Sequence, residues 1–186
     1  MKKLKYSELQ YFKLTKMTHS ISIISDTHGR INSNIIPYLK NTDMIIHAGD
    51  ITSTKTIKDL KEYCDNVYVV AGNNDVPEFF NTDEDKNIIS KLNKLERIKI
   101  DSHIITVTHG DAFGGEPSHD DLRKKFADSK LIIYGHTHRQ VCDQNCEPWV
   151  INPGAGGYTR NRDGGACFMQ IIINNDAWTI KPYCFT

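Results

Sequence analysis

The chain has 186 residues, of which 39% are hydrophobic and 25% are charged. This length and composition predict one globular domain with one sizeable core, and they exclude a disordered chain. Lys plus Arg total 23 and Asp plus Glu total 23, so the formal net charge is zero. A balanced charge argues against a protein that tracks long nucleic acid. Binding of small phosphorylated partners is still possible, because a single site can be locally positive on a protein without net charge.

The N-terminal segment and the cysteines together predict a cytoplasmic protein. No apolar run approaches the roughly 20 residues that span a bilayer, so no membrane partner is expected. Residues 1–18 carry lysines without the apolar stretch of a secretory signal. Five cysteines scattered along the chain predict reduced thiols rather than a disulfide framework. Cys142 and Cys146 form a lone close pair, which is a weak signal for zinc.

The chain divides into a predicted N-terminal extension, residues 1–19, and a single predicted domain, residues 20–186. Lysines in the extension are spaced among leucine and aromatic residues, which is typical of an amphipathic segment. Such a segment packs on the domain, binds a partner or stays disordered. We expect it to pack on the domain.

Short apolar runs rich in β-branched residues alternate with amphipathic segments along the domain. Strands are predicted at residues 20–25, 43–48, 66–71, 103–108, 131–134 and 149–151, followed by a hairpin of residues 166–173 with 177–182. Helices are predicted at residues 34–40, 54–64 and 118–128. Residues 86–100 are ambiguous between helix and strand, and residues 97–108 alternate like a hairpin that turns at Asp101-Ser102. This alternation predicts an α/β layered fold.

Five of these strands end directly in glycine-containing clusters of side chains that ligate metals. The clusters are Asp26-Thr27-His28-Gly29, Gly49-Asp50, Gly72-Asn73-Asn74-Asp75, His109-Gly110-Asp111 and Gly135-His136-Thr137-His138. In an open α/β sheet, ligands bind beyond the carboxyl ends of the strands. We therefore expect the five loops to meet in one crevice.

The side chains of this crevice are carboxylates, imidazoles and one amide, without thiolates. Such ligands suit Mn, Fe, Zn, Ni or Co. Two or three carboxylates, three or four imidazoles and one amide make about seven possible ligands. That number is too many for one tetrahedral ion, but it suits two ions that share a carboxylate. Asp50 is the natural bridge, because a carboxylate has two oxygens to offer. Two divalent cations carry more positive charge than two aspartates can neutralise. The remaining positive charge can hold a phosphate and lower the pKa of a bridging water.

The five motifs, in this order, resemble those of the calcineurin-like metallophosphoesterase superfamily and, within it, the small YfcE-like phosphodiesterase group. The resemblance covers about residues 21–173. It implies a four-layer α-β-β-α sandwich of two packed sheets with flanking helices. It also implies a binuclear phosphoesterase, in the first place a phosphodiesterase, that acts on small phosphate esters by in-line attack of a metal-bridging hydroxide. The expected cation is Mn²⁺, with Zn²⁺, Fe²⁺, Ni²⁺, Co²⁺ or Mg²⁺ as alternatives. Homo-oligomers also occur in this group.

The resemblance also implies roles for individual residues. One ion would take Asp26, His28, Asp50 and His138, and the other would take Asp50, Asn73, His109 and His136. The predicted catalytic residues are Asn73, His109 and Asp75, of which Asp75 orients the site, a role also open to His47. The predicted substrate-binding residues are Asn152, Arg160 and Arg162. Asn74 stands where many relatives have a histidine that protonates the leaving group, and an amide is no acid near neutral pH.

The alternative function is a non-catalytic protein-binding scaffold like the retromer subunit Vps29, which shares the implied fold. The metal shell is degraded in that subunit, whereas every expected ligand is present here, so we favour catalysis. A metallohydrolase of the β-lactamase type requires a His-x-His-x-Asp-His run, and the sequence contains none.

Overall fold

The computed structural model describes residues 8–13, 15, 17–158, 161–162 and 164–185. Over these residues the strands are β1 (Gln10–Phe12), β2 (Thr18–Ile24), β3 (Met44–His47), β4 (Val67–Val69), β5 (Leu95–Ile100), β6 (His103–Thr108), β7 (Leu131–Ile133), β8 (Gln140–Asp143), β9 (Trp149–Pro153), β10 (Ala166–Asn174) and β11 (Ala177–Phe185). The α-helices are α1 (Ile36–Lys40), α2 (Thr54–Tyr63), α3 (Asp83–Ser90) and α4 (His119–Lys125). No helix in the described ranges offers the long apolar stretch that a bilayer crossing requires.

The strands are arranged in two sheets within the described part of the chain. One sheet has the order β1-β5-β6-β7-β9-β8, and the other has the order β11-β10-β2-β3-β4. Strands β2, β3 and β4 are parallel neighbours, and so are β6, β7 and β9. Parallel neighbours place their carboxyl ends at the same edge of a sheet. Each sheet therefore presents one edge from which several loops emerge together.

The two sheets pack face to face through a shared apolar core. Ile23 of β2 and Ile105 of β6 are both fully buried in this core, one from each sheet. On the outer face of the five-stranded sheet, Leu60 of α2 packs in a second cluster, and Leu122 of α4 packs on the outer face of the other sheet. The layers thus run helix, sheet, sheet, helix, which confirms the predicted four-layer α/β sandwich.

Two strands are additional to those predicted. Strand β1 lies in the N-terminal extension and pairs in parallel with β5, so this part of the extension packs on the domain as expected. Strand β8 pairs antiparallel with β9, and its sequence QVCD lacks the apolar run that would predict a strand. The ambiguous stretch 86–100 divides between the end of α3 and all of β5, and the predicted hairpin is β5 with β6.

The prediction of reduced thiols is wrong for Cys167 and Cys184, which form a disulfide. These residues are 17 positions apart in the sequence, but the antiparallel register of β10 and β11 places them opposite each other. Spacing along the chain is a poor guide here, because the pairing of the strands decides which cysteines meet. Cys64, Cys142 and Cys146 are free thiols.

Candidate metal centre

Five loops bring the candidate ligands together where the edges of the two sheets meet. In chain order the candidates are Asp26 and His28 after β2, Asp50 after β3, Asn73 after β4, His109 after β6, and His136 with His138 after β7. Backbone hydrogen bonds join the loops, since Asp26 N donates to Gly49 O at 2.9 Å and Gly135 N donates to His109 O at 3.0 Å. All seven predicted ligands therefore lie in one region of the molecule.

Four of these side chains form a first group around Asp26. The ligand atoms of Asp26, His28, Asp50 and His138 all lie within 4.8 Å of one another. His138 Nε2 lies 3.3 Å from Asp26 Oδ1, and His28 Nε2 lies 3.1 Å from His138 Nε2. This is the set that the family resemblance assigns to one ion.

The remaining side chains form a second group around His109. Its Nε2 lies 3.2 Å from Asn73 Oδ1 and 3.4 Å from Asp50 Oδ1. The rings of His109 and His136 meet edge to face with their centroids 5.2 Å apart. Asp50 therefore contacts both groups, through His28 at 4.0 Å on one side and through His109 on the other.

A buried carboxylate oxygen that accepts no hydrogen bond indicates that a cation fits this site. Asp26 is fully buried, and its Oδ2 accepts a hydrogen bond from His136 N at 3.0 Å, whereas its Oδ1 accepts no hydrogen bond, although His138 Nε2 lies 3.3 Å away. A buried carboxylate oxygen without a hydrogen bond is costly, roughly 1–3 kcal/mol or more for a charged group. A bound divalent cation removes this cost, and the surrounding carboxylates, imidazoles and amide suit such an ion. The residues present therefore fit a divalent metal.

The backbone of the site adopts conformations that most residues avoid. The candidate ligands with positive φ are Asp26, His28, Asp50, His136 and His138, with φ values between 43° and 71°. Non-glycine residues adopt this left-handed region rarely and at a cost in free energy. Gly72 lies directly against Asp50, and a Cβ atom added at Gly72 would collide with the Asp50 carboxylate. The tight loops thus depend on both strained ligands and neighbouring glycine.

Two side chains hold the loops in place: Asp75, which lies outside the ligand groups, and His109, which is itself a ligand candidate. Asp75 accepts hydrogen bonds from Gly72 N, Ile51 N and Thr52 N at 2.8–3.1 Å. His109 Nδ1 donates to Ala48 O at 2.8 Å, which leaves Nε2 to face the site. The hydrogen bond of His109 to a backbone carbonyl leaves no pattern in the sequence, so it could not be predicted from the sequence.

His47 connects the loops after β2 and β3. Its Nδ1 accepts a hydrogen bond from Gly49 N at 3.2 Å, so its Nε2 donates to Thr27 Oγ1 at 2.9 Å. This neutral ring form agrees with its pKa, because burial lowers the pKa of His47 to about 4. The supporting role considered for His47 therefore has a geometric basis.

Opposite charges dominate the electrostatics of the second group. Burial by itself would lower the pKa of His109, but hydrogen bonding and charge from Asp50, together with the charge of Asp26, raise it to about 9. Burial would raise the pKa of Asp50, but His109 and Asn74 outweigh it and hold that pKa well below its usual range. Burial and the neighbouring His109 lower the pKa of His136. The site thus favours an ionised carboxylate at its centre.

The three predicted substrate residues differ in their surroundings. Asn152 is fully buried, and its amide donates to Gly135 O at 2.7 Å and to Thr137 Oγ1 at 3.1 Å. Its side chain thus holds the loop of His136 rather than facing solvent. Arg162 is about half exposed beside the centre, and its backbone N donates to His138 O at 3.2 Å. Arg160 lies outside the described residues.

The sandwich of two sheets and the mixed oxygen and nitrogen cluster at its edge define a protein of the metallophosphoesterase class. Residues 20–175 match the family model described as the calcineurin-like phosphoesterase superfamily domain, and the chain belongs to this family. The predicted family is confirmed.

Individual relatives carry matching names. A phosphodiesterase of Methanocaldococcus jannaschii is 31% identical over 147 residues, which cover 72% of this chain and 82% of that protein. A "Probable metallophosphoesterase" of Mycoplasma genitalium is 27% identical over 169 residues, which cover 86% of this chain and 90% of that protein.

A solved structure shows the same fold. Vacuolar Protein Sorting 29 from Cryptosporidium parvum superposes with a TM-score of 0.72 at 19% sequence identity, covering 92% of this chain and 100% of that protein. At this identity the likeness establishes the fold and carries no conclusion about activity.

Proposed function

We propose that the chain is a metal-dependent phosphodiesterase with a two-cation centre, and that Mn²⁺ is its preferred cation. One cation is held by Asp26, His28, Asp50 and His138, and the other by Asp50, Asn73, His109 and His136. The substrate is a small phosphodiester.

The position of Asp50 between the two side-chain groups carries this proposal. Its oxygens lie 4.0 Å from His28 Nε2 and 3.4 Å from His109 Nε2, and it is 2% exposed. A buried carboxylate that faces two sets of ligands suits two cations that share it. The buried Asp26 oxygen that accepts no hydrogen bond supports the same interpretation.

The residues of the chain have separable tasks in this reaction. When bound, the cations supply positive charge for the phosphate oxygens and an activated water nucleophile. Asp75 and Asn152 hold the loops that carry the ligands, so that the ligands are positioned before the substrate binds. Asn74 offers an amide but no acidic proton, so leaving groups that need little protonation are preferred.

Hydrolysis of bis(p-nitrophenyl) phosphate tests the proposal. Metal-free protein is expected to be inactive, and Mn²⁺ is expected to restore release of p-nitrophenol. Asp50→Ala is expected to lose both cations together, as measured by metal analysis after dialysis, and Asp50→Asn provides a second variant if the alanine form does not fold. Asp65→Ala, which changes an exposed aspartate after α2, serves as the matched control.

Two results would count against the proposal. Hydrolysis that is insensitive to chelation would show that the cations are not needed. Loss of only one cation from Asp50→Ala would contradict the shared carboxylate.

The scaffold alternative makes the opposite prediction for the same assay. A protein that serves only as a binding platform would take up metal without hydrolysing this diester with any first-row divalent cation.

A further inference from the structure

Three charged side chains form a cluster beside the metal centre, here called the rim cluster: Glu116, Arg139 and Arg162. Arg162 Nη1 donates to Glu116 Oε1 at 3.3 Å, and Arg139 Nη1 lies 3.9 Å from the same oxygen. Glu116 comes from the loop after β6, Arg139 from the loop after β7, and Arg162 from the loop that follows β9. Three separate loops thus direct charged groups to one place.

The backbones of both arginines lie next to His138, a candidate metal ligand. Arg139 directly follows His138 in the chain, and Arg162 N donates to His138 O at 3.2 Å. The two guanidinium groups therefore extend from backbone positions next to His138. The rim cluster is thus joined through the backbone to the loop that carries His138, a ligand candidate of the metal centre.

A cavity of about 170 Å³ lies beside the rim cluster. It is lined by Glu116 and Arg139 together with Thr137, His119 and Tyr134. Thr137 lies between the ligand candidates His136 and His138, so the cavity borders the loop that carries them. Each water in a liquid occupies about 30 Å³, so this space is large enough for a phosphate or carboxylate group.

The charge balance of the rim cluster favours an anion. Two guanidinium groups face one carboxylate, which leaves one positive charge in excess. The side chains of Arg139, Arg162 and Glu116 are 54%, 53% and 66% exposed. Exposed ion pairs of this kind contribute only about 0–1 kcal/mol, so an incoming anion can displace the carboxylate at little cost. The planar fork of arginine matches phosphate and carboxylate oxygens.

We infer that Arg139 and Arg162 form an anion subsite for a second phosphate or carboxylate group of the substrate, and that Glu116 occupies this subsite when no substrate is bound. The inference rests on the proposed function and narrows its substrate class to phosphodiesters that carry a further anionic group. Arg139 and Arg162 contact that group and set specificity, whereas Glu116 competes with it.

Titration of inorganic phosphate into metal-free protein tests the subsite without relying on catalysis. Calorimetry at low salt is expected to show phosphate binding that weakens at least about tenfold in the double variant Arg139→Gln/Arg162→Gln, because each lost contact is a charge-assisted hydrogen bond. Glu116→Gln is expected to tighten binding about two- to fivefold, since the competing charge is removed. Arg97→Gln is the matched control, because Arg97 pairs with Asp128.

The expected order of affinities is Glu116→Gln tightest, then wild type and Arg97→Gln together, then the double variant. Equal phosphate binding by wild type and the double variant would overturn the subsite. Weaker binding by Glu116→Gln would overturn the competing role of the carboxylate.

A pair of chromogenic substrates tests specificity. One is bis(p-nitrophenyl) phosphate, and the other is a p-nitrophenyl phosphodiester whose second alcohol bears a terminal phosphate. Wild type is expected to have a KM about tenfold lower for the second substrate, and the double variant is expected to bring the ratio of KM values close to one, with the ratio of kcat values unchanged. An unchanged ratio of KM values in the double variant would overturn the inference.

Failure of the subsite and failure of the proposed function are distinguishable. Hydrolysis of both substrates with identical KM values would reject the subsite and leave the phosphodiesterase intact. Absence of hydrolysis with every divalent cation would reject the proposed function, and the phosphate titration would then still report on the arginines.

Discussion

Asp75 acts on the centre through the backbone of the loops that carry it. Both of its oxygens accept backbone hydrogen bonds, and the residue is 3% exposed. A carboxylate with several such donors is well satisfied inside a protein. An amide at this position places an NH₂ group against at least one backbone N–H.

Asp75→Asn is therefore expected to destabilise the protein by about 2 kcal/mol, because a buried backbone donor loses its acceptor. Urea denaturation of the metal-free protein measures this change in the free energy of unfolding. Asp65→Asn, on an exposed loop, is the matched control and is expected to change stability by less than about 0.5 kcal/mol. Equal stabilities for the two variants would show that the hydrogen bonds to Asp75 contribute little.

Asn74 contacts the central carboxylate from the position where the family resemblance implies a histidine in many members. Its backbone N donates to Asp50 Oδ1 at 2.9 Å, and its Nδ2 donates to Asp50 Oδ2 at 2.6 Å. These contacts place the Asn74 side chain next to the reacting region. Because it is an amide, this side chain cannot act as an acid.

Asn74→His is expected to favour esters with poor leaving groups, because general acid catalysis contributes most where the leaving oxygen needs a proton. The measured quantity is kcat for an alkyl phosphodiester divided by kcat for bis(p-nitrophenyl) phosphate, and it is expected to rise at least about tenfold. Asn74→Gln, which keeps an amide, is the control. A rise of equal size in both variants would reject the role of a missing acid.

At the scale of elements, the short strand β1 closes one edge of the six-stranded sheet. It pairs with β5 through Tyr11 and Phe12, whose side chains point to opposite faces. Phe12 is partly buried against the shared core, whereas Tyr11 is 72% exposed. Residues 8–13 lie outside the family match at residues 20–175, so this strand is an addition to the matched domain.

Phe12→Ala is expected to lower the free energy of unfolding by about 1–3 kcal/mol, because apolar surface that β1 buries is lost. Tyr11→Ala on the same strand is the matched control and is expected to cost less than about 1 kcal/mol, the contribution of its exposed contact with Lys99. Chemical denaturation measures both values. A larger loss for Tyr11→Ala would show that β1 is anchored through its outer face.

At the scale of the whole molecule, the candidate metal centre joins the two sheets. Asp26, Asp50 and Asn73 come from the five-stranded sheet, and His109 and His138 come from the six-stranded sheet. A ligand that binds only the folded state stabilises that state by mass action. Cations at this site therefore connect metal affinity to the stability of the entire sandwich.

Mn²⁺ at about 100 times its Kd is expected to add about 2.7 kcal/mol of stability for each cation that binds. This corresponds to a rise in Tm of about 5–11 °C for each cation, and about twice that for two, in a chain of this size. Differential scanning calorimetry with and without Mn²⁺ measures the rise. Asp50→Ala is expected to lose it, and Asp65→Ala is expected to keep it. A full rise in Asp50→Ala would place the stabilising cations elsewhere.

Patterns within the sequence predicted an α/β layered fold and the loops that carry the ligands, whereas the four-layer sandwich was implied by the family resemblance. Apolar runs such as that of β2 are long enough to require burial, and the polar cluster after each run marks where the strand ends. Hydrophobic patterning acts locally, so it is visible in the chain. The hairpin of β5 with β6 was predicted in the same way, from the alternation of residues 97–108 and from the turn at Asp101-Ser102.

Only the tertiary structure decided which distant groups meet. The disulfide of Cys167 with Cys184, the hydrogen bond of His109 to Ala48 O, the burial of Asn152 and the rim cluster all depend on the register and packing of separate strands. Such contacts involve backbone atoms or residues far apart in the chain. Their side chains carry no local pattern, because the geometry that joins them exists only when both sheets are formed.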